Sequence, residues 1–484
     1  MKDILNDIEV CFVQNDAIVY PTHENDFSPS EVYPEYPFKD SVSDKPNYVY
    51  AAVRDLLHIL QLDNEHYGTD KWNPLGDFIN PGDNVLIKPN WVMHYNKDKN
   101  GGMDCLVTNP SIIRAVLDYV YIATHGQGSV TVGDAPMAEC NFKELHEKMH
   151  YNLVWNFYEN HSVDITVKDF RSSILLNGHD GQRFAQTNPD TGVVVNLGAE
   201  SKFEELSDKQ IDNFVMVLGS YPDNIKNYHS RGEHKYLISK DVINSDVIIS
   251  LPKIKAHRKA GLTACSKNFV GTCQIKDCLP HSIYGSVEHG GCEYPKSNLF
   301  TFFFSKLKKW QFKNSVNNKV TRNLRGNLAL LSKKISPDNI GHWDGAWYGN
   351  DAVWRFVYDL NNVIRYADKE GRVQQKQQRI IFNLGDAIVA GQRNGPLSPL
   401  PKELHAIVGG FNGIAIDYFM TQIMGFDPSK INYIPAMLKN QQIDVDKIKI
   451  IDNKGAAYTI KSFPYQDDWC FIPPDGWKGH LEKR

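Results

Sequence analysis

The stretch Asp246–His281 reads DVIISLPKIKAHRKAGLTACSKNFVGTCQIKDCLPH. Val247 to Leu251 is a short apolar run interrupted only by Ser250, the pattern of a buried strand. Pro252 closes it, and Lys253, Lys255 and His257 follow at once. Gly261, Leu262 and Thr263 are expected to open a helix-like segment carrying Cys265, Lys267 and Asn268. His281 comes after a turn marked by Pro280. In open α/β sheets, ligands bind just beyond the carboxyl ends of strands. Three lysines and two histidines therefore stand where a ligand would sit.

The same pattern recurs outward from that stretch. Asn84–Lys88 reads as a strand ending in Lys88-Pro89-Asn90-Trp91, and Gly128–Val132 as one ending in Gly133-Asp134-Ala135-Pro136. Ile380–Leu384 reads as a third, with Gly385-Asp386 and then Asn394-Gly395-Pro396 behind it. Helical spacing marks 47–61, Ser111 to Ala123, about 142–158, and Ile414–Met424. Pro110 sits at the start of the second of these, where its missing N–H is harmless. Strand candidates Val163–Val167, Val193–Leu197 and Phe214–Leu218 lie among many turn signals. The alternation predicts an α/β fold, a mostly parallel sheet flanked by helices.

The expected organisation is an irregular N-terminal arm over 1–46 and an α/β domain with the main site segment over 47–296. A basic, aromatic helical insertion follows over 297–340, a second α/β part completing the site over 341–440, and a tail over 441–484. Residues 297–336 hold nine Lys or Arg and no acid, together with Phe300, Phe302, Phe303, Phe304, Trp310 and Phe312. Such a segment can lie on an anionic membrane surface or dock a protein partner. It can equally pack its aromatics on the domain and leave its lysines in water.

The composition narrows the function classes. A net charge of −4 over 484 residues gives no pull toward nucleic acid. No apolar window reaches the roughly 18 residues of a membrane span. The N-terminus is acidic and lacks the apolar core of a secretory signal, so a cytoplasmic location is expected, peripheral to a membrane if 297–336 docks there. Eight cysteines without a C-x-x-C pair predict neither a zinc ribbon nor an iron–sulfur cluster. The phosphate-loop, dinucleotide and G-x-S-x-G patterns are missing.

The strand-end residues favour a small anionic substrate. Lys88, Lys253, Lys255 and Lys267 supply positive charge, and Asn90, Asp134, Asn268, Asn394 and Gly395 supply polar contacts beside them. His257 and His281 suit metal ligation or proton transfer. A crowded lysine such as Lys267 can act as base or nucleophile, with Asp386 as a second acid. Asp351, Arg355 and Asp359 recur every four residues of a predicted helix. They form an ion-pair ladder, or else Asp344, Asn350 and Asp351, with Arg355, line the pocket. Asp417 lies within an apolar helix and is expected to pair with a lysine or cap a loop. His146-Glu147-Lys148-Met149-His150 matches H-E-x-x-H and, on one helix face, would build a zinc hydrolase site.

The motifs KPNW, TNPSIIRAVLDYV, GDAPM, DVIISLPKIKAHRKAGLTACSKNFVG, His281, GDAIVAGQRNGP and GFNGIAIDYFMTQIMGFDP resemble, in this order over about 80–440, the domain of unknown function 362 family. WYGNDAVWRFVYDLNN looks like the branch associated with surface-polysaccharide or related biosynthetic gene clusters. Many members add a ferredoxin-like segment whose cysteines this chain lacks. The segment from His257 through Lys267 to His281 is also similar to the site segment of nickel-pincer lactate racemases. That resemblance implies His257 as base or ligand, Lys267 as cofactor anchor and His281 as metal ligand. KPNW stands where those enzymes carry a different opening motif.

The expected function is an isomerase-, epimerase- or transferase-like enzyme, with a divalent metal or other cofactor. Its substrate would be an anionic sugar, nucleotide-sugar or hydroxy acid. The alternatives are a non-catalytic metabolite-binding or scaffold protein, and a zinc hydrolase through His146 and His150.

Overall fold

The computed structural model describes all residues except 1–3, 24–25, 177–182, 188–191, 217–224, 298, 314–319, 321–322, 325–326, 328–342 and 484. Its main sheet contains β1 (Val10–Gln14), β2 (Asn84–Pro89), β3 (Ser129–Asp134), β4 (Thr166–Asp169), β5 (Val247–Leu251) and β6 (Lys253–His257). The remaining strands are β7 (Gly261–Thr263), β8 (Ile380–Asn394), β9 (Ser398–Gly410), β10 (Lys449–Asp452) and β11 (Ala457–Thr459). The order is β11-β10-β1-β9-β8-β5-β2-β3-β4, with β6 on β8 and β7 on β6. The run β8-β5-β2-β3-β4 is parallel throughout. The sheet is mixed but mostly parallel, and the fold is α/β.

The helices that matter for the core and the site are α1 (Tyr48–Ile59), α2 (Pro110–Thr124), α3 (Phe142–Lys148), α4 (Tyr151–Asn160), α5 (Cys265–Asn268), α6 (Leu299–Lys313), α7 (Val353–Tyr366), α8 (Gly413–Ile423) and α9 (Tyr433–Asn440). Alternating side chains give the sheet two apolar faces. Leu86, Ile248 and Ile381 pack with Phe356 of α7 and Phe419 of α8. Val85, Ile87, Ile249 and Phe382 pack on the other side with Leu56 of α1 and Val116 of α2. The central strands are thus covered by helices on both faces, which is why they read as continuous apolar runs.

Several local expectations change. The N-terminal arm is irregular only in part: Val10–Gln14 pairs with β9 and β10 inside the sheet. Its four apolar residues Val10 to Val13 are buried on both faces, as in β5. The tail adds β10 and β11 at the same edge. Gly261–Thr263 is a strand returning on β6, not the start of a helix. The helix expected over 142–158 breaks between α3 and α4, because His150 sits in the left-handed region at φ 57°. The candidate Phe214–Leu218 is a strand only at Phe214–Val215, and residues 217–218 lie outside those described. In α6, Phe302, Phe303 and Trp310 face outward rather than onto the domain.

Within β6 the sequence KIKAH sends Ile254 and Ala256 into the core and Lys253, Lys255 and His257 to the opposite face. Lys253 meets Asp386 of β8 at 3.0 Å, with both side chains fully buried. Tyr20 of the arm donates its hydroxyl to Asp386 at 2.6 Å and accepts from Lys253. Asn109, the cap of α2, donates its backbone N–H to the same carboxylate at 3.0 Å. Asp386→Ala leaves Lys253 buried without its counter-charge. It should cost about 3–5 kcal/mol of folding stability in urea titrations.

Candidate functional site

The carboxyl ends of β2, β3 and β6 open into one cavity of about 100 Å³. Its walls come from Asn90–Val92, Asp134–Met137, His257, Thr263, Lys267, Asn268, Val270, Gly271, Lys276, Leu279, His281 and Pro396. Lys88, at the end of β2, is fully buried and pairs with Asp134 at 2.7 Å. The other carboxylate oxygen of Asp134 accepts the Trp91 N–H at 2.6 Å, which draws the loops after β2 and β3 together. Gly271 closes over this pair. A Cβ there would meet Asp134 Oδ1 at 1.7 Å and Lys88 Nζ at 2.7 Å.

The short helix α5 carries Lys267 and Asn268. Asp417 of α8 holds it by accepting the N–H groups of Cys265 and Ser266 at 2.7 and 3.0 Å. Burial pushes the Asp417 carboxyl up to about 6. Asp417 is thus a cap, as one of its two expected roles had it. Asn268 donates to the Lys88 carbonyl at 2.9 Å and to Ser250 Oγ at 3.0 Å. Among the described residues its Oδ1 has no hydrogen-bond partner, nor does Thr263 Oγ1 on β7. Both belong to residues lining the cavity. Buried polar atoms normally find partners, so two orphans beside one cavity point to a ligand or water there.

The two imidazoles face the cavity in opposite tautomers, assigned from their partners. His257 Nδ1 accepts the N–H groups of Lys259 and Ala260 at 3.1 and 3.0 Å, so its proton lies on Nε2. His281 Nδ1 donates to the Leu279 carbonyl at 2.7 Å, so its Nε2 carries a lone pair. Burial and the lysines nearby hold both rings neutral, well below the ordinary histidine value. Lys267 makes no hydrogen bond or ion pair among the described residues. Burial, with Lys276 beside it, brings its amine down to about 7. Lys276 donates to the Ala135 carbonyl at 2.7 Å, and burial depresses it too. The cavity therefore combines a hydrogen-bond donor, a proton acceptor and an amine poised between its two states, in surroundings short of negative charge.

Of the residues singled out by sequence, Asn90, Asp134, His257, Lys267, Asn268 and His281 line this cavity. Lys88 lies directly behind Asp134. Lys253 and Asp386 are tied up in their buried pair, and Lys255 donates to Asn90 Oδ1 at 2.7 Å and to the Leu106 carbonyl. These three hold the wall rather than touch a ligand. Asn394 donates to Asp475 at 2.7 Å on the outer surface. Gly395 precedes the lining Pro396 and packs so close to Ala256 that a Cβ would meet its carbonyl at 2.1 Å. Asp351 and Arg355 pair with each other at 3.1 Å, and Asp359 accepts from Tyr236 at 2.8 Å. None of these three lines the cavity, and of the expected ladder only the Asp351–Arg355 pair forms. Lys276, Thr263 and Gly271 are site residues that the sequence reading passed over. Lys276 lies in the same stretch, but no strand or helix period links it to Lys267.

His146 is buried against Trp91 and Phe142, while His150 stacks on His23 at 3.9 Å between ring centres. With the helix ending at Lys148, the two imidazoles do not share a face. Among the described residues no three His, Cys, Asp or Glu side chains gather in a metal-binding group. His257 as a metal ligand also fails on its tautomer, since Nε2 carries the proton. None of the described helices is long and apolar enough to cross a membrane.

A strand-end pocket on a large, mostly parallel sheet, walled by lysines and imidazoles, defines the class of protein. The chain belongs to the family described as domain of unknown function (DUF362), whose model matches residues 85–422. It is similar to the thylakoid-associated protein sll1697 of Synechocystis sp. (strain ATCC 27184 / PCC 6803 / Kazusa). The two are 21% identical over 372 residues, or 77% of this chain and 71% of that one. A Thermotoga maritima protein from a structural-genomics programme is 10% identical with a TM-score of 0.32. That match covers 76% of this chain and 56% of the other.

The Lys267 amine has a consequence for stability. Its ordinary value is 10.5 and its folded value about 7, so between them the unfolded chain binds a proton that the folded one does not. Stability falls as pH drops across that window and levels off below it. Lys267→Met removes the penalty. Its urea midpoint should exceed that of the wild type at pH 7, and the gain should shrink steadily as pH rises toward about 10.

Proposed function

We propose that this protein is an enzyme that holds the anionic group of a small hydroxy acid or anionic sugar in the cavity and moves a proton at the adjoining carbon, as isomerases and epimerases do. The observation that carries this reading is Lys267, an unpartnered amine near 7 set between imidazoles of opposite tautomer. A base works best when its pKa lies near the working pH. His281 Nε2 and the neutral form of Lys267 would accept the proton. His257 Nε2–H would donate to the substrate oxygen on which charge develops. Lys276 and the Lys88–Asp134 pair would attract and seat the anion.

The cavity measures about 100 Å³. It accommodates a carboxylate and its neighbouring carbon. The nucleotide of a nucleotide-sugar would have to lie outside. A sugar acid of this kind would fit a role in surface-polysaccharide or secondary-metabolite biosynthesis.

A divalent metal held by side chains alone does not fit, since one imidazole lone pair stands here among cationic lysines. A cofactor anchored on Lys267 is a second reading, favoured because the neutral amine and the His281 lone pair open into one cavity. Those two residues would hold a nickel-pincer group, which when bound supplies hydride transfer at a carbinol carbon. Intact-mass measurement of purified protein would show such a group as an adduct lost in Lys267→Arg.

The test is solvent exchange. Wild-type protein in D₂O with lactate, malate, glycerate or glucuronate should wash deuterium into the carbon beside the carboxylate of at least one of them, read by proton NMR. Lys267→Ala or His281→Ala should slow the exchange by about 100-fold or more. A compound that binds and raises the melting temperature without any exchange would overturn the enzyme reading and leave a metabolite-binding protein.

A further inference from the structure

The helix α6 is amphipathic in the wrong sense for a helix on a water-soluble domain. Such a helix turns its apolar stripe to the core and its polar side to water. Here, among the described side chains, the polar Thr301 and Ser305 face inward. Thr301 is fully buried, and its carbonyl accepts the Tyr294 hydroxyl at 2.9 Å. Ser305 meets the same hydroxyl at 2.7 Å and donates to Glu293 at 2.9 Å. The outward side carries the large apolar residues. Leu299, Phe302, Phe303 and Trp310 are 67%, 43%, 52% and 51% exposed. With Lys306 they occupy positions i, i+3, i+4, i+11 and i+7, which is one stripe from Leu299 to Trp310.

The charge of the segment says what covers that stripe. Residues 297–336 carry +9 in a chain whose total is −4. Lys306 lies 4.3 Å from the centre of the Phe302 ring, so positive charge and exposed aromatic surface share one face. Lys319, Arg322, Arg325, Lys333 and Lys334 lie outside the described residues and enter only as charge. A second copy of this chain seated on the stripe would set like charges against each other. A surface of anionic headgroups over acyl chains satisfies both features: lysines reach the headgroups while phenylalanine, leucine and tryptophan enter the acyl boundary.

We propose that α6 docks this protein on an anionic membrane surface, lying in the plane of the interface with Leu299, Phe302, Phe303 and Trp310 inserted. The attachment is peripheral, and it is independent of the chemistry assigned to the cavity.

Co-sedimentation of the full chain with vesicles tests it. The protein should pellet with phosphatidylcholine vesicles containing one-third phosphatidylglycerol, stay in solution with phosphatidylcholine alone, and be released by high salt. The double variant Phe302→Ser/Phe303→Ser changes two exposed side chains, so its circular dichroism and melting temperature should match the wild type. Its partitioning should fall by about tenfold or more. Lys306→Glu should weaken binding to the anionic vesicles in low salt. Wild-type protein that ignores anionic vesicles would overturn the proposal, as would a double variant that binds them as well as the wild type. So would a wild-type dimer in light scattering that the double variant dissolves, which would make the stripe a contact between copies.

Discussion

The buried contact between Lys253 and Asp386 is the constraint on which the site depends. It joins β6 to β8 at the point where β6 leaves the end of β5, and it adds Tyr20 from the arm and the capped start of α2. Two charges removed from water are tolerated only with good geometry and further hydrogen bonds. Asp386 accepts from Tyr20, Asn109 and Lys253, which meets that demand. With Lys253 fixed, the two-residue period of a strand carries Lys255 to Asn90 and His257 to the cavity.

Around the cavity the electrostatics run the other way. Lys88 has Asp134 and Lys253 has Asp386, but Lys267 has no counter-charge, and burial holds it near 7. An arriving anion would supply what is missing and raise the amine's affinity for its proton. Binding and proton transfer therefore oppose each other on Lys267: binding favours its charged form and base catalysis its neutral one. His281, neutral and with a free lone pair, allows the two tasks to be divided.

The parallel centre of the fold was legible because β2, β5 and β8 are buried on both faces and so appear, like the end of β3, as short apolar runs followed by polar loops. The site's location followed from that pattern, which brought Asn90, Asp134, His257, Lys267, Asn268 and His281 to one cavity. What the pattern could not show was how far each strand continues. Asp386 looked like a strand-end acid, but β8 runs on to Asn394, which leaves Asp386 in mid-strand against Lys253. The arm was misread because four apolar residues in a region rich in proline and tyrosine carry little periodic signal. H-E-x-x-H gave a misleading spacing, because one left-handed residue at His150 undoes the helical face. Hydrogen-bond partners, and hence the opposed tautomers of His257 and His281, have no signature in sequence.

The central claim is that Lys267 is a partly neutral amine in a cavity built for an anion. Reductive ¹³C-methylation followed by NMR titration of the Lys267 resonance, assigned by its loss in Lys267→Arg, measures this directly. The account predicts a midpoint near 7 that moves upward when a bound carboxylate fills the cavity. A midpoint at the ordinary lysine value near 10.5, unmoved by any anion, would contradict it.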